Sequence, residues 1–274
     1  MTALNLREAG SGPPVMFLHG WSCHGGFFAD QMAALADRHH VLAPDLPGHG
    51  RSSAADRTLS IGAAADALLE FLQARSLSEV TLIGWSMGAH VAYAMLERGG
   101  GVRIASLAVV DMTPKVLNDD GWSLGIRTGL DGLRSERAVS AMQADWRTYA
   151  PPIVDNMFAD RNSVSEATRT FALAEIAAND PTAMVAMWRS LCAQDFRALL
   201  PTIALPVTIA HGALSRLYAE ETARYQAEHI PGSRVVRFAR SGHSPHLEEP
   251  EAFIELVRSL CPHPSPERAH GPSR

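Results

Sequence analysis

The 274-residue chain holds only 3 cysteines, Cys23, Cys192 and Cys261, and they lie far apart. An odd, sparse set excludes a disulfide framework, and its spacing matches no metal-ligand pattern. A reducing compartment is the expectation. Long apolar runs are also missing. No stretch approaches the roughly 20 consecutive apolar residues that span a bilayer, so no membrane association is expected. Met1 to Gly10 is polar and lacks an apolar run ending in a small-residue cleavage site. No secretory leader is therefore expected, and a cytoplasmic location is the default. Basic residues are scattered, and few of them are lysine. With 24 Lys and Arg against 29 Asp and Glu, the formal net charge is −5. That balance excludes the clustered basic footprint of a nucleic-acid binder. No ligand cluster suggests a metal or a cofactor, and none is expected.

What is present suits one large α/β domain carrying an insertion. Hydrophobic residues make up 46%, enough for a sizeable core. Short apolar runs at Val15–Leu18, His40–Pro44, Val80–Gly84 and Ile104–Val110 read as buried strands. Between them, Ser60–Ala74 and Ala89–Glu97 carry a helical period. Nearly uniform apolar strands alternating with helices imply a mostly parallel central sheet covered on both faces. Sites in such sheets form in the loops beyond the carboxyl ends of the strands. From about residue 113 to 195 strand character disappears, and aromatic and Met residues lie amid helix-forming stretches. This segment reads as a helical lid. Strand character returns at Pro206–Ala210 and Arg234–Phe238, and a last helix spans Pro250–Leu260. The expected division is a core of 1–112 and 196–261, a lid of 113–195, and a disordered Pro-, Ser- and His-rich tail of 262–274. There are no internal repeats.

One motif carries chemistry. Gly84-Trp85-Ser86-Met87-Gly88 matches G-x-S-x-G, with a strand before it and a helix after it. A nucleophile on that sharp turn sits in a strained conformation, which exposes its oxygen at the top of the sheet near the positive end of the helix. The alternative is an ordinary glycine-flanked turn. A serine needs a base, and the base needs an orienting acid. His243, freed by Gly242 to reach back over the sheet, is the candidate base. His246 competes, but helix entry at Pro245 should turn it away. His19, His24 and His49 lie near the loop face and suit structural roles in turns.

His19-Gly20-Trp21, Asp45-Leu46-Pro47-Gly48-His49-Gly50-Arg51-Ser52, Gly84-Trp85-Ser86-Met87-Gly88 and Gly242-His243 occur in the order seen in α/β-hydrolases. The resemblance covers about residues 4 to 260. Among its branches, the chain resembles small bacterial carboxylesterases, including pimeloyl-carrier-protein methyl ester esterases. The resemblance implies an α/β-hydrolase fold. It implies an oxyanion hole from the backbone N–H of Met87, the residue after the nucleophile, and that of Trp21. The Trp21 side chain would wall the acyl pocket or merely pack.

The acid departs from the commonest pattern. Most relatives carry it in a Gly-x-x-Asp segment, whereas this chain reads Gly212-Ala213-Leu214-Ser215. A serine hydroxyl at 215 could orient a histidine but could not stabilise an imidazolium. Asp111 ends the strand after the nucleophile helix, on the face that holds Ser86, where some α/β-hydrolases carry their acid. The alternative is that Asp111 caps the turn into Thr113-Pro114. Glu220 and Glu221 read as an exposed helix start, Asp195 as a linker residue, and Asp45 as a loop-shaping residue. Cys23, beside the oxyanion loop, suits a core or pocket-wall role.

The expected function is serine hydrolysis of small to medium acyl esters, with a small-molecule ester as partner and Ser86, His243 and Asp111 as the catalytic set. Lactonase, thioesterase and carbon–carbon bond hydrolase activities share that set. A ligand-binding receptor on the same fold is the alternative from another class. Dehalogenases and epoxide hydrolases of this fold use Asp where Ser86 stands, which disfavours them.

Overall fold

The computed structural model describes residues 4–52 and 58–261. The tail of 262–274 lies outside the described residues. Seven strands form one sheet: β1 (Leu6–Ala9), β2 (Pro14–Leu18), β3 (His40–Pro44), β4 (Val80–Trp85), β5 (Ile104–Val110), β6 (Val207–Gly212) and β7 (Arg234–Phe238). Their order across the sheet is β1-β3-β2-β4-β5-β6-β7, with β1 antiparallel to β3 and the other pairs parallel.

Strand β1 had no sequence signal. Arg7 and Glu8 interrupt its apolar character, which an edge strand tolerates because half its surface faces water. The inner strands are different. Every residue of β4 and of β6 is buried. Along β4, Val80 and Leu82 join the core on one face, while Ile83 and Trp85 join the core on the other. This alternation is the period of two of a strand with both faces covered.

Helices α2 (Ile61–Ala74), α3 (Met87–Glu97) and α8 (Glu220–His229) pack on the first face, and α1 (Ala29–Leu35) and α10 (Pro250–Leu260) on the second. The Ser60 hydroxyl caps α2 by accepting from Ala63 N at 3.0 Å. The helix after β4 begins at Met87, directly after Ser86 and two residues ahead of its sequence-predicted start.

Between β5 and β6 lie α4 (Gly132–Ala144), α5 (Trp146–Met157), α6 (Glu166–Ala177) and α7 (Pro181–Cys192). Each opens on a side-chain cap: Asp131, Asp145, Ser165 and Asp180. Those caps satisfy N–H groups that a helix start cannot pair internally. At the neck of the segment, Lys115 bridges Asp195 in antiparallel fashion, and Phe196 N donates to Pro114 O at 3.0 Å. A short helix, α9 (Pro245–Glu248), precedes α10. No helix of the described residues is long and apolar enough to cross a membrane.

The order reverses about β2. The chain moves outward from β2 to β3, then crosses back to β4 and continues outward to β7. The crevice at such a reversal, beyond the carboxyl ends of the strands, is where open α/β sheets bind ligands. Here those ends are Leu18 of β2 and Trp85 of β4, which lead into Gly20-Trp21 and into Ser86.

Candidate active site

Ser86 sits between β4 and α3 with φ 52° and ψ −122°. That conformation is costly for any residue with a Cβ and persists only where the surroundings impose it. They do so here. Ser86 N donates to Val110 O at 3.0 Å, so the turn remains pinned to β5. At Gly88 a Cβ would collide with the Leu18 carbonyl, and only glycine lets α3 press this closely on β2. Gly20 is nearly as tight, since a Cβ there would stand 3.2 Å from the Ser86 Cβ. The loop after β2 therefore lies directly against Ser86. Met87 opens α3, so its backbone N–H has no partner within the helix.

Asp111 follows the last residue of β5 and has φ 43°. Its N–H donates to Ala210 O at 2.8 Å. The register sets Trp85 beside Val110 and Val110 beside Ala210. Ser86, Asp111 and His211 are each the next residue, and so form one row across β4, β5 and β6.

The Asp111 carboxylate has no exposed surface. Its Oδ2 accepts from His243 Nδ1 at 2.8 Å and from the Ser215 hydroxyl at 2.6 Å. Its Oδ1 accepts from His211 Nδ1 at 3.0 Å and Gly212 N at 3.3 Å. Burial pushes the carboxyl towards its neutral form, but hydrogen bonds from His211 and His243 outweigh that push and hold it below the ordinary value. Asp111 thus meets His243, and Ser215 touches the same oxygen from the position where a Gly-x-x-Asp acid would stand.

His243 lies in the loop between β7 and α9. Glu248 grips that loop: one carboxylate oxygen accepts from Gly242 N at 2.8 Å and Ser244 N at 3.2 Å, and the other from Ala159 N at 2.7 Å. Burial raises the Glu248 pKa. Nothing in the sequence marked Glu248 or His211 as site residues. His246 is fully buried, with its ring 4.4 Å from Trp85 and 4.8 Å from Phe28. Neither of its ring nitrogens has a hydrogen-bond partner. It faces the core.

The other loop histidines pair with backbone groups or a carboxylate. His19 Nδ1 meets Gly20 O at 2.8 Å, and its Nε2 accepts from Leu46 N at 2.9 Å. His24 pairs with Glu175 at 2.9 Å. His49 Nδ1 meets Pro47 O at 3.2 Å. Asp45 is buried and accepts from Arg7, Gly25 N and Arg51 N, which ties its loop to β1.

Ser86 and His243 line one cavity of about 160 Å³. Core residues Gly20, Trp21, Cys23, Trp85, Leu217 and Tyr218 form one wall, and Tyr149, Ile153, Asn156, Met157, Trp188 and Leu191 of α5 and α7 form the other. No Asp, Glu, Lys or Arg is among the described lining residues. Trp21 is edge-on to Trp146 at 5.6 Å and donates from Nε1 to Met184 O at 3.0 Å. Cys23 is buried, and burial raises its thiol pKa. Among the described residues, no group of three or more His, Cys, Asp or Glu is arranged to hold a metal ion.

Residues 15–256 match the Alpha/beta hydrolase family. The chain is 30% identical to the pimeloyl-[acyl-carrier protein] methyl ester esterase of Chromobacterium violaceum over 95% of this chain and 97% of that protein. It is 27% identical to the enzyme of that name from Nitrosomonas europaea, over 95% of this chain and all of that one. Among solved structures, an esterase from Exiguobacterium antarcticum superposes with a TM-score of 0.87 at 26% identity, covering 94% of this chain and 95% of that one.

Proposed function

The chain belongs to the alpha/beta hydrolase family, and from that premise we propose that it is a serine carboxylic-ester hydrolase acting on small to medium acyl esters through an acyl-enzyme on Ser86. The observation that carries this reading is the 2.8 Å bond from His243 Nδ1 to a fully buried Asp111 carboxylate, with His243 sharing a cavity with Ser86.

An ionised carboxylate only accepts hydrogen bonds, so Nδ1 of His243 carries the proton and Nε2 holds a lone pair. Nε2 takes the Ser86 proton as Oγ attacks the ester carbonyl, and Asp111 offsets the imidazolium without itself taking the proton. The N–H groups of Met87 and Trp21 hold the oxyanion, each worth about 2.7–4 kcal/mol by analogy with deletions of a single donor. His243 then protonates the departing alcohol. The same nitrogen then deprotonates a water that attacks the acyl carbon, and it gives that proton to Ser86 Oγ as the carboxylic acid leaves.

Helices α4 to α7 act as the lid. From α5 and α7, Tyr149, Met157, Trp188 and Leu191 line the cavity that holds Ser86. Its volume of about 160 Å³ is below the range of roughly 300–1,000 Å³ typical of drug-sized ligands, and its lining is apolar and aromatic. Both features favour a short or medium neutral acyl group. The activity named for the relatives, hydrolysis of a methyl ester, supports an ester with a small alcohol.

Steady-state hydrolysis of p-nitrophenyl esters from acetate to decanoate tests the proposal. Many turnovers, abolished by Ser86→Ala and severely reduced by Asp111→Asn, are expected. A wild type that is inert across the panel, or that stops after a single turnover with a stable adduct, would replace the esterase by a receptor on the same fold.

A further inference from the structure

The Asp111 carboxylate has about four lone-pair directions, and each meets a donor: His243 Nδ1, the Ser215 hydroxyl, His211 Nδ1 and Gly212 N. Two of these donors are side chains that the proposed reaction does not use. Resting on the proposed role of Asp111 as the acid, we infer that Ser215 and His211 are positioning residues that keep this carboxylate ionised and aimed at His243.

Ser215 is fixed for the task. Its Oγ accepts from Leu217 N at 3.3 Å and Tyr218 N at 3.2 Å, and those bonds occupy its lone pairs. Its own proton is left to point at Asp111 Oδ2, 2.6 Å away. Arg127, in the segment between β5 and α4, donates from Nη1 to the Ser215 carbonyl at 2.9 Å and anchors the turn. The segment that carries the acid in most relatives thus hands a hydroxyl to a carboxylate borne by the neighbouring strand. His211 acts from the other side. It stands beside Asp111 in the row shared by β5 and β6, is 3% exposed, and gives its Nδ1 proton to Oδ1.

The chemical consequence follows from saturation. A proton can settle on Asp111 only if one of its donors leaves. Removing a donor frees that position and leaves the upward push of burial less opposed. A protonated Asp111 can neither hold the His243 tautomer nor offset the imidazolium. The titratable groups facing the pair are His211 from β6, Tyr218 from the loop after β6, which burial keeps protonated, His246 from α9, which burial keeps neutral, and Glu248 from α9, whose pKa burial raises and which holds Gly242 N and Ser244 N on either side of His243. Neither Tyr218 nor His246 carries a charge near neutral pH.

The test is the pH profile of kcat/KM for p-nitrophenyl acetate in Ser215→Ala, Ser215→Thr, His211→Phe, His211→Asn and Asp111→Asn, with urea midpoints to verify folding. Ser215→Ala and His211→Phe should each lower kcat about tenfold, with KM within about twofold. In both, the acid limb should move to higher pH than in the wild type. Thr and Asn, which keep a donor in place, should restore most of the loss. If His211→Phe does not fold, Ser215→Ala against Ser215→Thr decides. Profiles that superpose on the wild type, or conservative variants no better than the deletions, would overturn the inference while a severe Asp111→Asn defect left the esterase reading standing. A fully active Asp111→Asn would overturn both.

Discussion

The indole Nε1 of Trp85 donates a 2.7 Å hydrogen bond to the carbonyl oxygen of His243, joining the residue before the proposed nucleophile to the proposed base across 158 positions. Trp85 is 1% exposed and its ring lies 5.7 Å from the imidazole. It therefore sets the height of the His243 loop over the end of β4. Trp85→Phe keeps an aromatic ring but strands a buried carbonyl, at a cost of about 1–3 kcal/mol. Urea unfolding should show that loss. Steady-state kinetics should show a lower kcat with little change in KM, since the loop that carries the base is released and the cavity wall stays apolar.

The backbone at Ser86 makes a prediction about stability that is independent of activity. A Cβ at φ 52° and ψ −122° stores about 1–3 kcal/mol of strain. Glycine removes it, at the expense of about 0.5–1 kcal/mol of unfolded-chain entropy. Ser86→Gly and Ser86→Ala should both be inactive, with Ser86→Gly the more stable by about 1 kcal/mol in urea denaturation. Equal midpoints would show the turn to be unstrained.

Several buried histidines make stability depend on pH. Burial holds His49 and His90 at a pKa of about 4 and His246 at about 3, and pushes His19 well below its ordinary value. In the unfolded chain these groups titrate near 6.5. Below that value the unfolded state binds more protons, so stability falls as pH drops from about 6.5 towards about 4. Asp111, held below its ordinary value, adds a further loss only under more acid conditions, as pH falls through its folded-state pKa. The urea midpoint should therefore decline steadily between about pH 7 and about pH 5. His90→Gln, which keeps a donor for Thr113 O, should flatten part of that decline. A midpoint constant over this range would contradict the neutral-histidine assignment.

Trp188 bounds the cavity from α7 and donates from Nε1 to Ser135 Oγ at 3.0 Å. Trp188→Ala should enlarge the space over Ser86. On the p-nitrophenyl panel the chain-length optimum should move to longer acyl groups, with kcat/KM for acetate falling. An unchanged optimum would place the acyl group elsewhere in the cleft.

The core of this fold was legible in the sequence because the inner strands are apolar on both faces and each ends in an unusual loop. Ser86 was legible because its turn demands small neighbours. Asp111 was legible because it ends the strand after α3. Its partners were not equally visible. Ser215 was recognisable only as a missing acid, and its hydrogen bond to Asp111 depends on the turn that Leu217 and Tyr218 complete. His211 meets Asp111 only through the register of β5 on β6, a pairing between segments 100 residues apart. Glu248 acts on backbone N–H groups, which leave no trace in side-chain patterns. The helices of the 113–195 segment could have been resolved further. Asp131, Asp145, Ser165 and Asp180 each stand at a helix start as a cap.

The most direct experiment is rapid-quench mass spectrometry of the enzyme during turnover of p-nitrophenyl butyrate, followed by peptide mapping. Ser86 as the nucleophile predicts a transient butyryl adduct on the peptide containing Ser86, formed with a burst of p-nitrophenol and absent in Ser86→Ala. An adduct on another residue, or full turnover with no adduct and an active Ser86→Ala, would contradict it.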